Sequence, residues 1–263
     1  MRENGYAPHG PDAPVAASDR SPWLRRRPAS ASLRGMKLPW SLPLLVLLLA
    51  GCQSGPAKPA WQTLFPQDGV PTGWAVRAWN DVSQPPPATS VWRVERGVLT
   101  SGGERNCWLM WERELGDFDL EFDFRLGARG NSGLALRAPM AGDPAFDGME
   151  LQMADFRYNP EAKDSELTGG IYRALAPWRQ MYRPLEWNRY EVSLSGTRLR
   201  VKLNDELVQD VDLTKQTTTV KRHDGRDAVP LKDRPRRGHI GFQNLSRADG
   251  NVEIRDARIR IWD

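Results

Sequence analysis

The chain is predicted to be all-β, with two antiparallel sheets packed as a β-sandwich or jelly roll. Residues 117–126 alternate strictly between apolar and charged side chains, which is typical of a strand with one buried face. The same period recurs at 198–203, and Asn204-Asp205 then turns the chain into 207–211, as in a hairpin. Many short strands without an amphipathic helix of three turns favour a sandwich.

Seven further segments complete the prediction. They share an apolar or alternating pattern and lie between clusters of Gly, Pro, Asn and Asp, which favour turns. The predicted strands are 91–100, 106–114, 133–138, 148–154, 187–194, 238–244 and 252–262.

An apolar window near the N terminus predicts export as a lipoprotein. The run within 41–51 is about 10 residues long, too short to span a bilayer but suited to a signal peptide. Leu49-Ala50-Gly51-Cys52 is similar to a lipobox, in which the cysteine is acylated and becomes the new N terminus. Met36 is the expected start, so 1–51 is predicted to be an extension and signal peptide. Residues 52–60 would be a lipidated tether and 61–263 one jelly-roll domain.

The predicted location is the cell envelope, with the lipid in a membrane. Gln53 after the cysteine favours the outer membrane if the source is Gram-negative. Cleavage would also remove the basic charge: residues 1–51 hold seven Lys/Arg and three Asp/Glu, and subtracting these from 37 and 33 leaves 30 of each sign. A neutral mature domain gives no support to a nucleic-acid partner.

Cysteine usage agrees with this organisation. After lipidation of Cys52 only Cys107 remains, so no intrachain disulfide is expected. Cys107 lies in a predicted strand, where its default role is that of a small buried apolar residue.

The predicted strand 148–154 carries polar residues at alternate positions. Glu150 and Gln152 share one face, about 7 Å apart, and Met149, Leu151 and Met153 share the other. In the preceding strand, Arg137 is expected opposite the face of Leu134 and Leu136. Such residues would line the concave face of a jelly roll or lie on a solvated outer face, and periodicity leaves both open.

An ordered set of motifs across 61–263 resembles the 3-keto-disaccharide hydrolase domain family, whose fold is a concanavalin A-like jelly roll. The segments that carry the resemblance are Trp61 to Phe65 with Gly73-Trp74, Trp92 to Leu99, Gly116 to Arg125 with Asn131-Ser132-Gly133 and Arg137, Met149 to Gln152, Thr168 to Tyr172, Glu186-Trp187-Asn188, Gly238 to Gln243, and Val252 to Ile261. One position departs: the family commonly has His two residues after Gln243, where this chain has Leu245.

The resemblance implies hydrolase chemistry on sugars already oxidised at C3. A ketone at C3 acidifies the C2 proton, so a base can remove it, the C1 oxygen can leave, and water can add back. Glu150 is expected to be the base or a metal ligand, Arg137 the stabiliser of the oxyanion, and Tyr172 a proton donor. The residues expected to bind substrate are Asn131, Gln152, Trp178 (or Trp187), His239 and Gln243.

Other chemistries fit less well. A glycosidase with two carboxylates would need a second acid across the cleft from Glu150, and Asp147 or Asp155 is available without a supporting motif. His223 lies in the basic loop 221–237, where a solvated role is expected. A hard divalent cation bound through Glu150 is conceivable, whereas no His/Cys cluster indicates zinc and no Gly-rich strand-to-helix turn indicates a dinucleotide.

Two function classes therefore remain open. The first is an envelope hydrolase or lyase that cleaves oxidised mono- or disaccharides and other 3-keto-glycosides. The second is a non-catalytic carbohydrate-binding lipoprotein on the same fold. An enzyme should gather Arg137, Glu150, Gln152 and Tyr172 around one pocket.

Overall fold

A computed structural model describes residues 58–247 and 250–262. The predicted signal peptide and Cys52 lie outside these residues. The described part contains the strands β1 (Gln62–Thr63), β2 (Trp74–Ala78), β3 (Val91–Glu95), β4 (Val98–Gly102), β5 (Cys107–Trp111), β6 (Phe118–Leu126), β7 (Asn131–Ala138), β8 (Met149–Ala154), β9 (Asn188–Ser195), β10 (Arg198–Leu203), β11 (Glu206–Asp212), β12 (His239–Asn244) and β13 (Val252–Ile261).

The strands form two antiparallel sheets, which confirms the predicted sandwich. The larger sheet has the order β11-β10-β9-β6-β13-β4-β3, with β1 paired to β13, and the smaller has the order β2-β5-β12-β7-β8. Both sheets contain strands distant in sequence, as a jelly roll requires. The helix α1 (Pro144–Asp147) and three 3₁₀ turns (Asp164–Glu166, Leu213–Lys215, Leu231–Asp233) interrupt the β structure. Within the described residues, no helix has the length and apolar character needed to cross a membrane.

The core lies between the sheets and follows from the alternation in the sequence. In β6, the five apolar residues from Phe118 to Leu126 are buried, and the charged residues between them are half-buried on the other face. Each such side chain contributes about 2 kcal/mol by leaving water. Cys107 is buried in the same core, as predicted, and burial raises the pKa of its thiol.

Two features of the strands differ from the prediction. The segment 91–100 is two strands, because Arg96 and Gly97 have φ of 52° and 76° and form a tight hairpin turn. Strands β1 and β2 were not predicted. Their sequences are short, and β2 pairs only with β5, so it is an edge strand fixed by tertiary contact.

The outer face of the smaller sheet is covered. Every residue of β7 and β8 is buried, although a strand on the surface of a sandwich would expose alternate residues. The cover includes α1, whose Phe146 packs with Ala145, Ala228 and Tyr172. Arg234 fixes this cover, because its guanidinium donates to the carbonyl oxygens of Ala145 and Gly148 at 3.0 and 2.8 Å. This covered face is where the polar residues of interest lie.

Candidate functional site

Four polar side chains lie on the covered face of the smaller sheet. Glu150 and Gln152 in β8 alternate with core residues as predicted, and Asn131 in β7 and Gln243 in β12 join them. Their exposures are 2% for Glu150 and Gln243, 3% for Gln152 and 7% for Asn131. The alternative of a solvated outer face is therefore wrong.

Gly133 makes room for the carboxyl group of Glu150. A Cβ at this position would lie 1.9 Å from Oε1 and 2.7 Å from Cδ and Cγ of Glu150. Gly133 pairs with Gln152 in β8, and its φ is not in the left-handed region, so its requirement is spatial rather than conformational. The Glu150 side chain thus packs directly against the glycine of the Asn131-Ser132-Gly133 motif.

Glu150 is in an environment that disfavours its charged form. Burial raises the pKa of Glu150 well above its ordinary value, the charge of Asp143 raises it further, and a hydrogen bond with Gln243 opposes the shift. Three buried oxygen atoms on this face have no hydrogen-bond partner among the described residues: Asn131 Oδ1, Glu150 Oε1 and Gln243 Oε1. Buried acceptors in this state need a donor, which a bound ligand or water can supply.

Asp143 was missed at the sequence level. It is the N-cap of α1, and its Oδ1 accepts a hydrogen bond from the Ala145 amide at 3.1 Å. Burial raises the pKa of Asp143 to about 7, partly offset by the Ala145 hydrogen bond and by Arg222. The sequence held a signal, because Asp143-Pro144 is typical of an N-cap followed by proline at the first helical position.

An aromatic group adjoins the same face. The ring of His223 lies 4.8 Å from Trp79, 5.1 Å from Phe146 and 5.8 Å from Tyr172, measured between centroids. His223 is nevertheless exposed, so its ring combines these contacts with the solvated position that the sequence predicts. Partial burial, followed by the positive charge of Arg173, lowers the pKa of His223, so its neutral form is favoured at pH 7.

Tyr172 is held beside Glu150 through the backbone. Its amide donates to the Glu150 carbonyl oxygen at 2.9 Å. Burial and the nearby charge of Glu150 raise the pKa of the Tyr172 hydroxyl, which therefore stays protonated as a hydrogen-bond donor.

A cavity of about 100 Å³ opens beside these residues. Asn131, Gln152 and Tyr172 line it, so the structure brings together three of the predicted residues. Its other walls include Tyr158, Asp155 and the segment that carries Glu166. Glu150 does not line the cavity.

Arg137 lies elsewhere, which corrects its predicted role at the oxyanion. Its nitrogen atoms donate to the carbonyl oxygens of Gly116 and Gly196 and to Asp117, at 2.9, 2.8 and 2.7 Å. A β-bulge causes this, because the register between β12 and β7 shifts and Arg137 has a φ of 48°. Ala135 and Ala138, three residues apart, therefore share the outer face, and Arg137 turns to the loops of the larger sheet.

Trp178 and His239 are also outside the group around Glu150. Trp178 is 63% exposed and lies beside β11 of the larger sheet, where its amide donates to Val208. His239 Nδ1 is 2.9 Å from the carbonyl oxygen of Trp111. Trp187, the alternative aromatic residue, stacks with arginines of the larger sheet.

The two carboxylates considered as a second acid both have cationic partners. Arg222 bonds both oxygens of Asp147 at 2.7 and 2.9 Å, and Arg157 bonds both oxygens of Asp155 at 2.7 and 2.6 Å. These ion pairs lower the pKa of Asp147 and outweigh the burial of Asp155, whose pKa is also lowered. Asp143, whose pKa is raised, is therefore a better candidate than Asp147 or Asp155 for a second acid beside Glu150.

No metal centre built from charged ligands is evident in the described ranges. Residues 58–247 and 250–262 contain no group of three or more His, Cys, Asp or Glu side chains that could hold a metal ion. A cation at Glu150 would need amide oxygens such as those of Asn131 and Gln243. The metal role of Glu150 stays a prediction.

Two solved structures have a fold similar to that of this chain. A protein from Parabacteroides distasonis, described provisionally as a glycosyl hydrolase, is 25% identical and has a TM-score of 0.61, with 77% of this chain and 100% of that chain covered. A second such protein from that organism is 22% identical, with a TM-score of 0.58 and coverage of 78% and 95%. No curated protein sequence matches the chain.

The family comparison covers nearly the whole described domain. Residues 60–260 match the profile of the 3-keto-alpha-glucoside-1,2-lyase-like domain, which confirms the resemblance drawn from the motifs. The match and the solved structures together indicate a carbohydrate-active domain of the glycosyl hydrolase type. The chain belongs to the family of 3-keto-alpha-glucoside-1,2-lyase-like domains.

Proposed function

We propose that this protein cleaves the glycosidic bond of 3-keto-sugars, with Glu150 as the base. The observation that carries the proposal is a set of three buried side-chain oxygens on the face of Gly133 that have no hydrogen-bond partner among the described residues. Asn131 Oδ1, Glu150 Oε1 and Gln243 Oε1 can each accept a hydrogen bond from a sugar hydroxyl, and Glu150 can also accept a proton.

The reaction would begin at C2 of the oxidised sugar. Glu150 takes the C2 proton, and the electrons of the C–H bond form an enolate with the C3 carbonyl. The enolate electrons then form the C1–C2 double bond, and the C1–O bond breaks. The leaving alkoxide takes a proton and departs as an alcohol. Water adds to C1 of the resulting enone while C2 regains a proton, and the sum of the steps is hydrolysis. If the water step is omitted, the same site is a lyase.

The electrostatics support this assignment. A carboxyl group whose pKa is raised is a stronger base once ionised, and Glu150 and Asp143 are close enough that the charge on one disfavours ionisation of the other. Tyr172, kept protonated, would donate to the enolate oxygen or to the leaving group. This replaces the role first predicted for Arg137.

Sugar binding without cleavage is the second candidate. Glu150 is nearly inaccessible and does not line the cavity, whose volume of about 100 Å³ is below the roughly 300–1,000 Å³ of ordinary ligand sites. The cover formed by α1 and the 220–228 segment would have to move for a sugar to reach Glu150.

The deciding experiment compares substrates and variants. The full chain, purified in mild detergent, is incubated with a 3-keto-glucoside and with its unoxidised parent, each with and without a chelator. Glu150→Gln is the test variant, and Glu191→Gln in β9 of the larger sheet is the matched control. Cleavage of the keto substrate alone, lost only in Glu150→Gln, is expected. Retained sugar binding without turnover in the wild type would favour the second candidate, and loss with chelator would add a metal.

We also propose that the protein is anchored in the cell envelope by a lipid on Cys52. The support is the sequence, since an apolar run of signal-peptide length ends at Leu49-Ala50-Gly51-Cys52. Metabolic labelling with an alkyne fatty acid should mark the wild type and not Cys52→Ser. A wild-type chain that stays unlabelled would refute the anchor without bearing on the catalytic proposal.

A further inference from the structure

Arginine side chains contact Tyr158, a residue of the cavity wall. We call Arg105, Arg129 and Arg247 the arginine cluster. Arg105 Nη2 donates to the Tyr158 hydroxyl at 2.8 Å, and Arg247 lies over the Tyr158 ring with its guanidinium carbon 4.4 Å from the centroid. The Arg247 amide donates to the Arg129 carbonyl oxygen at 3.3 Å, which brings the third arginine to the same loops.

Tyr158 links this cluster to the site. Its side chain lines the cavity together with Asn131, Gln152 and Tyr172. Arg105 and Arg247 therefore both contact a residue of the cavity wall, although neither arginine lines the cavity itself. Arg105 Nε is buried and has no hydrogen-bond partner in the part of the chain that the structure describes. A buried donor without an acceptor is a position at which a ligand oxygen can bind.

The charge of the cluster is uncompensated within the described residues. The two carboxylates that line the cavity are already engaged, Asp155 with Arg157 at 2.6 Å and Glu166 with Arg173 at 2.9 Å. No carboxylate of residues 58–247 or 250–262 forms an ion pair with Arg105, Arg129 or Arg247. The like charges of Arg105 and Arg247, which both contact Tyr158, repel each other, and an anion between them would reduce this repulsion.

We propose that the arginine cluster is a subsite for an anionic group on the substrate. The group is a carboxylate or a sulfate carried by the sugar, and the neutral part of that sugar would lie against Asn131, Gln152 and Tyr172. Guanidinium groups suit this task, because their planar array of donors matches two oxygens of a carboxylate or sulfate. The substrate class is therefore acidic glycosides. The sugar part of this inference rests on the proposed function, but the anion preference is measured by binding and does not require turnover.

The test measures binding to the full chain in mild detergent by calorimetry. The ligands are a glucuronic acid-containing disaccharide, its neutral glucose counterpart, a glucose sulfate and inorganic sulfate, each at low and high salt. The wild type is expected to bind both acidic sugars at least about 10-fold tighter than the neutral sugar at low salt, with a smaller difference at high salt. Tighter binding of only one acidic sugar would identify which anionic group the cluster accepts.

Variants separate the cluster from general charge. Arg105→Gln combined with Arg247→Gln should abolish the preference. Arg113→Gln should keep it, because Arg113 also stacks on an aromatic ring and forms no ion pair with a described residue, but it lies at the other end of β5. Glu150→Gln should also keep the preference, so failure of the catalytic proposal would not remove it. Equal affinity for acidic and neutral sugars in the wild type, or inorganic sulfate bound as tightly as the glucose sulfate, would overturn the subsite.

Discussion

Replacing Gly133 with alanine tests whether the Glu150 side chain packs directly against Gly133. The added methyl carbon would lie 1.9 Å from Oε1 and 2.7 Å from both Cδ and Cγ of Glu150. Non-bonded carbon atoms prefer about 3.5–4.0 Å, so the whole outer half of the side chain must move, not only its tip. Because Glu150 is buried on a covered face, we expect an overpacking cost of about 1–3 kcal/mol.

A double-mutant cycle isolates the cause of that cost. The three atoms nearest to the added methyl all belong to Glu150, so Gly133→Ala should be nearly neutral when Glu150→Ala has already removed them. The coupling energy, measured by urea unfolding of the four proteins, should then be about 1–3 kcal/mol. Gly102→Ala in β4 is the control, because its closest neighbour is a Val91 methyl at 3.3 Å. Additivity of the two changes within about 0.5 kcal/mol would refute the assignment.

Three further predictions follow from the same geometry. The pKa of Asp143 is raised to about 7 in the folded state against about 4 unfolded, so the folded protein binds the extra proton and loses stability as pH rises through this window. Between pH 5 and 8, unfolding free energies should show a loss of roughly 2–3 kcal/mol in the wild type relative to Asp143→Asn, and equal slopes would contradict the raised pKa. Arg137→Met should cost about 3 kcal/mol in thermal or urea unfolding, because it removes one donor each from Asp117 and from the carbonyl oxygens of Gly116 and Gly196; a loss below about 1 kcal/mol would mean that the loops are held otherwise. Tyr172→Phe should lower turnover of a 3-keto-glucoside by about 10- to 100-fold with little change in stability, and unchanged turnover would remove Tyr172 as the donor.

The sequence was most informative where one physical cause controlled the pattern. Strict alternation in β6 and β10 marks one buried face, and this fixed the fold class and the placement of Glu150 and Gln152 on a single surface. The sequence was less informative at the edge strands of the sheets. Strand β2 has no such alternation of burial and depends on its partner β5, so it could not be predicted.

The site shows the same division. The motifs gathered Asn131, Glu150, Gln152, Tyr172 and Gln243 correctly on or beside one face. They failed for Arg137, because a β-bulge changes the face of a residue without changing its place in the sequence. They also gave no indication that the exposed His223 contacts aromatic rings contributed by three separate segments.

By itself, the sequence determined the two-sheet architecture, the composition of the core and the family, because each is encoded in local periodicity or in ordered motifs. The tertiary structure alone decided that the outer face of β7 and β8 is covered, and this cover gives Glu150 its raised pKa. It also brought Asp143 close enough for its charge to act on Glu150, and Arg105 and Arg247 around Tyr158. The reason is that burial and electrostatic coupling depend on distances between segments far apart in the chain, which no local pattern specifies.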